Sequence, residues 1–386
     1  MTSDLARSIP LAGPPFERAE YARRQHAVLD RLAEAGLDAI AVTARSHQEY
    51  LGGYDGSGDY FGPFPLILAP DREPTYVVRR YDEDAVRAAS VIDDIVPYTH
   101  LADLPATWAA TLRRLGLADA RLGLELDAWS LAPADVARLQ TELPGLTIID
   151  AGRLVPRVAA VKSDPEIAVM RRAMVLAERA VEAFERGLTS GATERSVARA
   201  VVDAIEEGGG SASISALLFG QRTALPHGQP SAGSLAAGQP AFIEIGAEVD
   251  GYVAGLCRTG IVGTHPEAEA LYAVAEAALA AGLGAIRPGT TAGAVDVAVR
   301  GVIATRGRSD TFRHRAGYQI GLMWNDRGNL SLEPGSDDVL VPGMTLHLPV
   351  ILFETGRFGV GVSETVLVTD DGAEVLSRRP RGLVRA

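Results

Sequence analysis

A chain of 386 residues and 40.6 kDa exceeds what one ordinary hydrophobic core fills, so two cores are expected. Hydrophobic residues at 47% and charged residues at 22% exclude a largely disordered protein. The formal net charge is -12, and Lys and Arg are scattered among acids with no basic stripe, which excludes nucleic acid as a partner.

Met1 to Glu20 holds no apolar run between a basic start and a small-residue cleavage site. No stretch elsewhere reaches roughly 18 uninterrupted apolar residues, so neither export by that route nor a membrane is expected. Residues Glu17 to Gly36 read as an amphipathic helix ended by glycine, and Leu37 to Thr43 follows as a short apolar strand. Strand-like runs Phe64 to Leu68 and Thr75 to Val78 precede a helical stretch from Asp82 to Ala89, and the α/β alternation continues to Ile149. This first domain is expected over residues 1–157 and a second over 158–386.

Ser163-Asp-Pro-Glu166 is a capping-box signal that starts a helix. Ile167, Met170, Met174, Ala177, Val181 and Phe184 give it one apolar stripe, so its methionines read as core. Thr193 caps a second helix carrying Val197, Val201 and Ile205. From Gly238 the period changes to that of strands: Ala241 to Ile245 and Tyr252 to Val262 flank Asp250-Gly251, a dipeptide suited to a tight hairpin. Helical segments around Glu267 to Ile286 and Ala292 to Thr305 follow, then strands Met344 to Phe353 and Gly359 to Thr369. Helices against a mixed, mostly antiparallel sheet make an α+β domain. Cys257 is the only cysteine, which excludes an intrachain disulfide and fits a reducing cytoplasm.

In order and spacing, Val161-Lys-Ser-Asp-Pro-Glu-Ile167, Asp250-Gly-Tyr252 with Arg258-Thr259, Pro342-Gly-Met344 and Glu364-Thr-Val-Leu-Val368 resemble the creatinase/prolidase superfamily. The resemblance implies a C-terminal pita-bread domain behind a smaller α/β creatinase-like N-terminal domain. In metal-dependent members two aspartates, a histidine and two glutamates hold a pair of divalent metals. The corresponding positions here are Glu244, Gly255, Tyr318, Pro349 and Ser363, so the resemblance implies no metal and no other cofactor. The chain is most similar to the metal-free branch of creatinase and ectoine hydrolases, through the Glu of Ala241-Phe-Ile-Glu-Ile245, Gly317-Tyr-Gln-Ile-Gly321, Gly361-Val-Ser-Glu-Thr365 and Tyr50-Leu-Gly-Gly-Tyr-Asp55. It departs from that branch at Met323-Trp-Asn-Asp-Arg-Gly328, which is shortened, around His227, and at Cys257, where creatinase carries a glutamate.

Glu244 has apolar neighbours on both sides, and a buried carboxylate needs a cationic partner or an upward pKa shift. An amidinium or guanidinium substrate is one such partner, and the resemblance implies that Glu244 acts as nucleophile on it. The other use of Glu244 is a pairing with Arg258 across the hairpin. His227, in the loop Leu225-Pro-His-Gly228, is read as general acid/base, and Glu364 as a second acid that holds the far nitrogen or activates water. Tyr318 either donates a proton to negative charge on the substrate or is a buried tyrosine with a bonded hydroxyl, and Ser363 is read as a hydrogen-bonding wall. Cys257 beside Arg258 admits a thiol nucleophile or small core filling, both residues being counted with the substrate site. His347 and His314 fall in or beside strands, either lining the pocket or satisfied in the core. Tyr60 and Phe61, with Tyr54, form an aromatic segment that is either simple core or, as the resemblance to relatives in which this region closes the neighbouring subunit's pocket implies, the shared wall of a homodimer. The expected function is metal-independent hydrolysis of a small C–N substrate, a cyclic amidine such as ectoine or a guanidino compound such as creatine. The alternatives are a metal-dependent Xaa-Pro dipeptidase or aminopeptidase and an inactive binding protein on the same scaffold.

Overall fold

A computed structural model describes residues 13–55, 62–324 and 327–386. The chain divides into two units, residues 1–159 with 326–328 and residues 160–325 with 329–386. Tyr60 and Phe61 lie outside the described residues.

Unit 1 opens on α1 (Arg18–Glu34), which turns Tyr21, Val28 and Leu32 inward. It also buries Arg24, whose guanidinium lies 4.5 Å from the Phe16 ring centroid and donates to the Tyr50 carbonyl at 3.0 Å. The helix ends before Gly36, whose φ of +65° is the left-handed conformation that glycine adopts at low cost. Six strands follow: β1 (Ala39–Val42), β2 (Leu66–Leu68), β3 (Thr75–Arg79), β4 (Asp94–Tyr98), β5 (Arg121–Leu124) and β6 (Thr147–Asp150). Their order is β4-β3-β2-β1-β5-β6, with β2 antiparallel to both neighbours and the other pairs parallel. The parallel pairs are fed by helices, among them α2 (Arg45–Gly52), α3 (Glu83–Ala89), α4 (Leu104–Arg114) and α5 (Pro133–Glu142). This is the α/β pattern the sequence predicts.

In unit 2, after α6 (Leu154–Ala160), the capping signals start α7 (Asp164–Gly187) and α8 (Glu194–Glu206). The Ser163 N–H donates to Glu166 Oε2 at 2.9 Å, and Thr193 Oγ1 accepts from Ser196 N at 3.1 Å. Met170 and Met174 are buried, as the apolar stripe requires. Strands β7 (Ser211–Phe219), β8 (Pro240–Val249) and β9 (Tyr252–Ile261) form one antiparallel sheet, which β15 (Val384–Arg385) extends in parallel. Asp250 and Gly251 join β8 to β9 with φ of 51° and 79°, so both central residues of the turn take the left-handed region that its twist demands.

The second sheet of unit 2 is β11-β10-β12-β13-β14, formed by β10 (Gly317–Gln319), β11 (Ser331–Leu332), β12 (Thr345–Glu354), β13 (Phe358–Thr369) and β14 (Gly372–Val375). Helices α9 (Pro266–Ala285) and α10 (Ala292–Thr305) cover its outer face, and Leu271, Ala275, Ala278 and Leu279 join the main core there. By length and composition α9 is apolar enough to cross a membrane, and this packing is what its apolar surface serves.

Side-chain hydroxyls, at alternate residues, stitch β9 to β13. The Gly255 N–H donates to Thr365 Oγ1 at 3.1 Å, the Cys257 N–H to Ser363 Oγ at 2.7 Å, and the Gly361 N–H to Thr259 Oγ1 at 2.8 Å. This seam lays the inward faces of β8, β9, β12 and β13 side by side.

Candidate functional site

Beside that seam, residues of β7, β8, β10 and β12, with the loops that carry His227 and His314, line a cavity of about 610 Å³ within unit 2. Glu244 on β8 lines it and is 6% exposed. Its neighbours along the strand, Ile243 and Ile245, point the other way into the core, as strand alternation dictates. Burial pushes the Glu244 carboxyl up, but His347, Ser215 and His314 together outweigh it and hold the group below the ordinary carboxylate range. Glu244 therefore stands as an anion at neutral pH.

His347 on β12 is fully buried, with Nε2 3.8 Å from Glu244 Oε1 and without a hydrogen-bond partner among the described residues. That gap exceeds a direct hydrogen bond, and one polar atom can bridge it. Tyr318 on β10 stands opposite His347 in register and lines the cavity. Burial and the nearby Glu244 charge raise its phenol well above the ordinary value, so it stays a proton donor. His314 also lines the cavity. Burial lowers its pKa, against the pull of the Arg315 and Ile351 carbonyls, which lie 2.8 Å from Nδ1 and 3.2 Å from Nε2. His227 sits in the cavity wall in an exposed loop, at a φ of 53° that is strained for a residue with a Cβ. Ser363 is buried on the inward face of β13, where its hydroxyl is engaged by the Cys257 N–H.

Ser363 forms no wall of the cavity, contrary to expectation, and three further expected site residues lie elsewhere. Glu364 and Arg258 point away from the cavity and pair with each other at 3.0 Å, each 1% exposed. Arg258 also donates to the carbonyls of Cys257 and Ser363. The pairing of Glu244 with Arg258 is thereby excluded: the residue opposite Glu244 across the hairpin is Cys257, and Arg258 stands opposite Ile243. Parity along the strands is the reason, because adjacent residues face opposite sides and only one of each pair can meet the substrate. Cys257 faces inward but is filled around by Ala216, Leu218, Phe242, Ile351 and Phe353. Burial, with Glu244 opposite, pushes its thiol well above the usual range, so it is core filling and no nucleophile. Cys257→Ala is expected to keep wild-type turnover to within about twofold, and iodoacetamide is expected to leave the native protein unlabelled while labelling it in denaturant.

Two features escape the sequence. Trp324 lines the cavity and donates from Nε1 to Tyr318 Oη at 2.7 Å. Arg313 and Arg315 line it too, and Arg315 lies over the Tyr318 ring at 4.5 Å.

The five positions that would carry metal ligands do converge, since Tyr318 stands opposite His347 and Pro349 opposite Ser363, with Gly255 stitched to Thr365 beside them. They offer one carboxylate, a phenol, a hydroxyl and two side chains without donors. Among the described residues no group of three or more His, Cys, Asp or Glu side chains is arranged to hold a metal. The place of a ligand on Gly255 is filled, because a Cβ there would meet Trp324 Cη2 at 2.8 Å. This donor set does not fit a two-metal centre.

Residues 168–370 match Metallopeptidase family M24, and residues 24–161 match the Creatinase/Prolidase N-terminal domain. An uncharacterized hydrolase/peptidase of Sinorhizobium fredii is 30% identical over 390 residues, covering 97% of this chain and 98% of that protein. Ectoine hydrolase of Halomonas elongata is 28% identical over 400 residues, covering 96% and 98%. Among solved structures, a dipeptidase of Mycobacterium ulcerans superposes with a TM-score of 0.87 at 26% identity, covering 96% of this chain and all of that one.

Proposed function

Given that the chain belongs to Metallopeptidase family M24, with a Creatinase/Prolidase N-terminal domain ahead of the hydrolase fold, we propose that it hydrolyses a C–N bond in a small cationic substrate without metal. The observation that carries this reading is Glu244: an ionised, nearly buried carboxylate in a cavity whose other four ligand positions supply no further carboxylate or imidazole. His347, Ser215 and His314 already hold this anion, and a cyclic amidinium or a guanidinium adds both opposite charge and N–H donors for the carboxylate's remaining lone pairs.

Hydrolysis adds water across the amidinium carbon. A new C–O bond forms there, one C–N bond breaks, and its electron pair leaves with nitrogen, which takes a proton. Glu244 either anchors the cation during this addition or attacks the carbon itself and is released by water; both roles need the anion. His227 is the proton carrier at the cavity wall, and Tyr318 donates to negative charge on the substrate. The similarity to ectoine hydrolase puts cyclic amidines ahead of guanidino compounds. A homodimer and a cytoplasmic setting complete the proposal; the dimer rests on the likeness to relatives whose aromatic N-terminal segment closes a neighbour's pocket.

Turnover of ectoine, hydroxyectoine, creatine and Xaa-Pro dipeptides, measured in chelator and then with manganese, tests the reading. Full turnover of an amidine or guanidino compound in chelator is expected. Cleavage of dipeptides that depends on manganese would sink it, in favour of a dipeptidase activity like the one for which the Mycobacterium ulcerans protein is named.

A further inference from the structure

One side chain covers the inward glycines of the β8–β9 hairpin. A Cβ on Gly246 would stand 2.0 Å from Trp324 Cζ3, and one on Gly255 2.8 Å from Cη2, so the six-membered ring of the indole rests on both strands. Its orientation is fixed from two further sides, by the Nε1 hydrogen bond to Tyr318 and by edge-on contact with His347 at 5.5 Å and 67°. Gly246 follows Glu244 by two residues, which puts the indole on the same strand face roughly 7 Å further along. Trp324 is half-buried and forms part of the cavity wall. The cavity thus sets a carboxylate and an oriented π surface side by side, and both attract positive charge, while Arg313 and Arg315 on the same lining oppose it, so that the local pair and not the cavity as a whole favours a cation.

We propose that Trp324 is the specificity-determining residue of this site, selecting a flat, delocalised cation that it stacks against while Glu244 grips the cation's N–H edge. Flatness matters because an indole face meets a planar amidinium over its whole area, whereas an ammonium presents a tetrahedral, strongly hydrated head. The inference rests on the proposed hydrolysis only in taking that cation to be the substrate; the binding preference stands by itself.

Calorimetric titration with acetamidinium and with its neutral isostere acetamide reads the preference directly. The wild-type protein is expected to bind acetamidinium at least ~10-fold more tightly than acetamide. Trp324→Leu is expected to weaken acetamidinium ~5- to 30-fold and to leave acetamide within twofold, with Trp324→Phe in between. Fluorinated tryptophans, built into the unaltered sequence, drain the π face without removing the ring, and each added fluorine is expected to weaken acetamidinium further. Wild-type affinity in Trp324→Leu, an equal loss for acetamide, or indifference to fluorination would overturn the proposal. The fluorinated series decides the matter if Trp324→Leu does not fold. Selective, Trp324-dependent binding of acetamidinium without turnover of any amidine would refute the hydrolase reading and leave this one standing.

Discussion

Glu244→Gln is expected to lower turnover of the substrate by at least ~10³-fold, whichever of its two roles the carboxylate plays. Glutamine keeps the shape of the side chain and removes the charge, so thermal stability is expected to stay within about 1 kcal/mol of wild type. The comparison is clean because the isostere still fits between β7 and β9, while the cation loses a counter-charge whose own side chain is nearly buried. The pH profile gives a second check. Glu244 is held below the ordinary carboxylate range by His347, Ser215 and His314 against the upward push of burial, so its ionised form persists as pH falls through 4.5. An acid limb of kcat/KM that follows Glu244 is therefore expected below that value. Residual activity within tenfold of wild type in Glu244→Gln would remove Glu244 from the chemistry.

Arg258→Met is expected to destabilise the protein by roughly 3–5 kcal/mol at pH 8, because it leaves the Glu364 carboxylate buried without its partner. The loss should shrink in acid. Burial drives the Glu364 pKa up to about 7, with Arg258 and Arg381 pulling it back, so the folded state holds a proton there that the unfolded chain has released. A folded pKa raised above the unfolded value makes this group's contribution complete below about pH 4.5 and progressively lost as pH rises to about 7. Glu364→Gln is expected to flatten that slope, worth on the order of 3 kcal/mol across the window, and to rescue most of the Arg258→Met defect at pH 8. Denaturant unfolding of the two single variants and the double variant at pH 5 and pH 8 measures all of this. Equal losses for Arg258→Met at both pH values would contradict the assignment.

The backbone of this protein is written in local signals. Ser163 with Glu166, Thr193, and the Asp250-Gly251 turn each fix an element end through their own chemistry, without help from distant contacts. The carboxylate Glu244 was legible for the same reason, as an acid set among apolar strand neighbours. Which acid or thiol faces the cavity was harder. Glu364 sits one residue from Ser363 and Arg258 one from Cys257, and a shift of one in a strand reverses the face, so composition alone places both partners in the site, whereas the structure turns Glu364 and Arg258 away and commits the inward Ser363 and Cys257 to the seam and the core. Trp324 was not legible at all. Nothing local distinguishes it in Met323-Trp-Asn-Asp-Arg-Gly328, and its significance comes from Gly246 and Gly255, whose missing side chains make the room it fills.

The hydroxyl seam between β9 and β13 bears on which donor sets this site can hold. Ser363 occupies the position of a metal-binding glutamate in relatives, yet here its hydroxyl satisfies the buried Cys257 N–H. Returning a glutamate would orphan that N–H at a cost of about 1–3 kcal/mol and set a second anion beside Glu244. Returning an aspartate at Gly255 would first require Trp324 to vacate its seat. Each of these substitutions taken singly is a loss, so a metal centre could be built here only by changing several positions together. The stitches that hold the sheets together thus also confine the donor set here to one carboxylate.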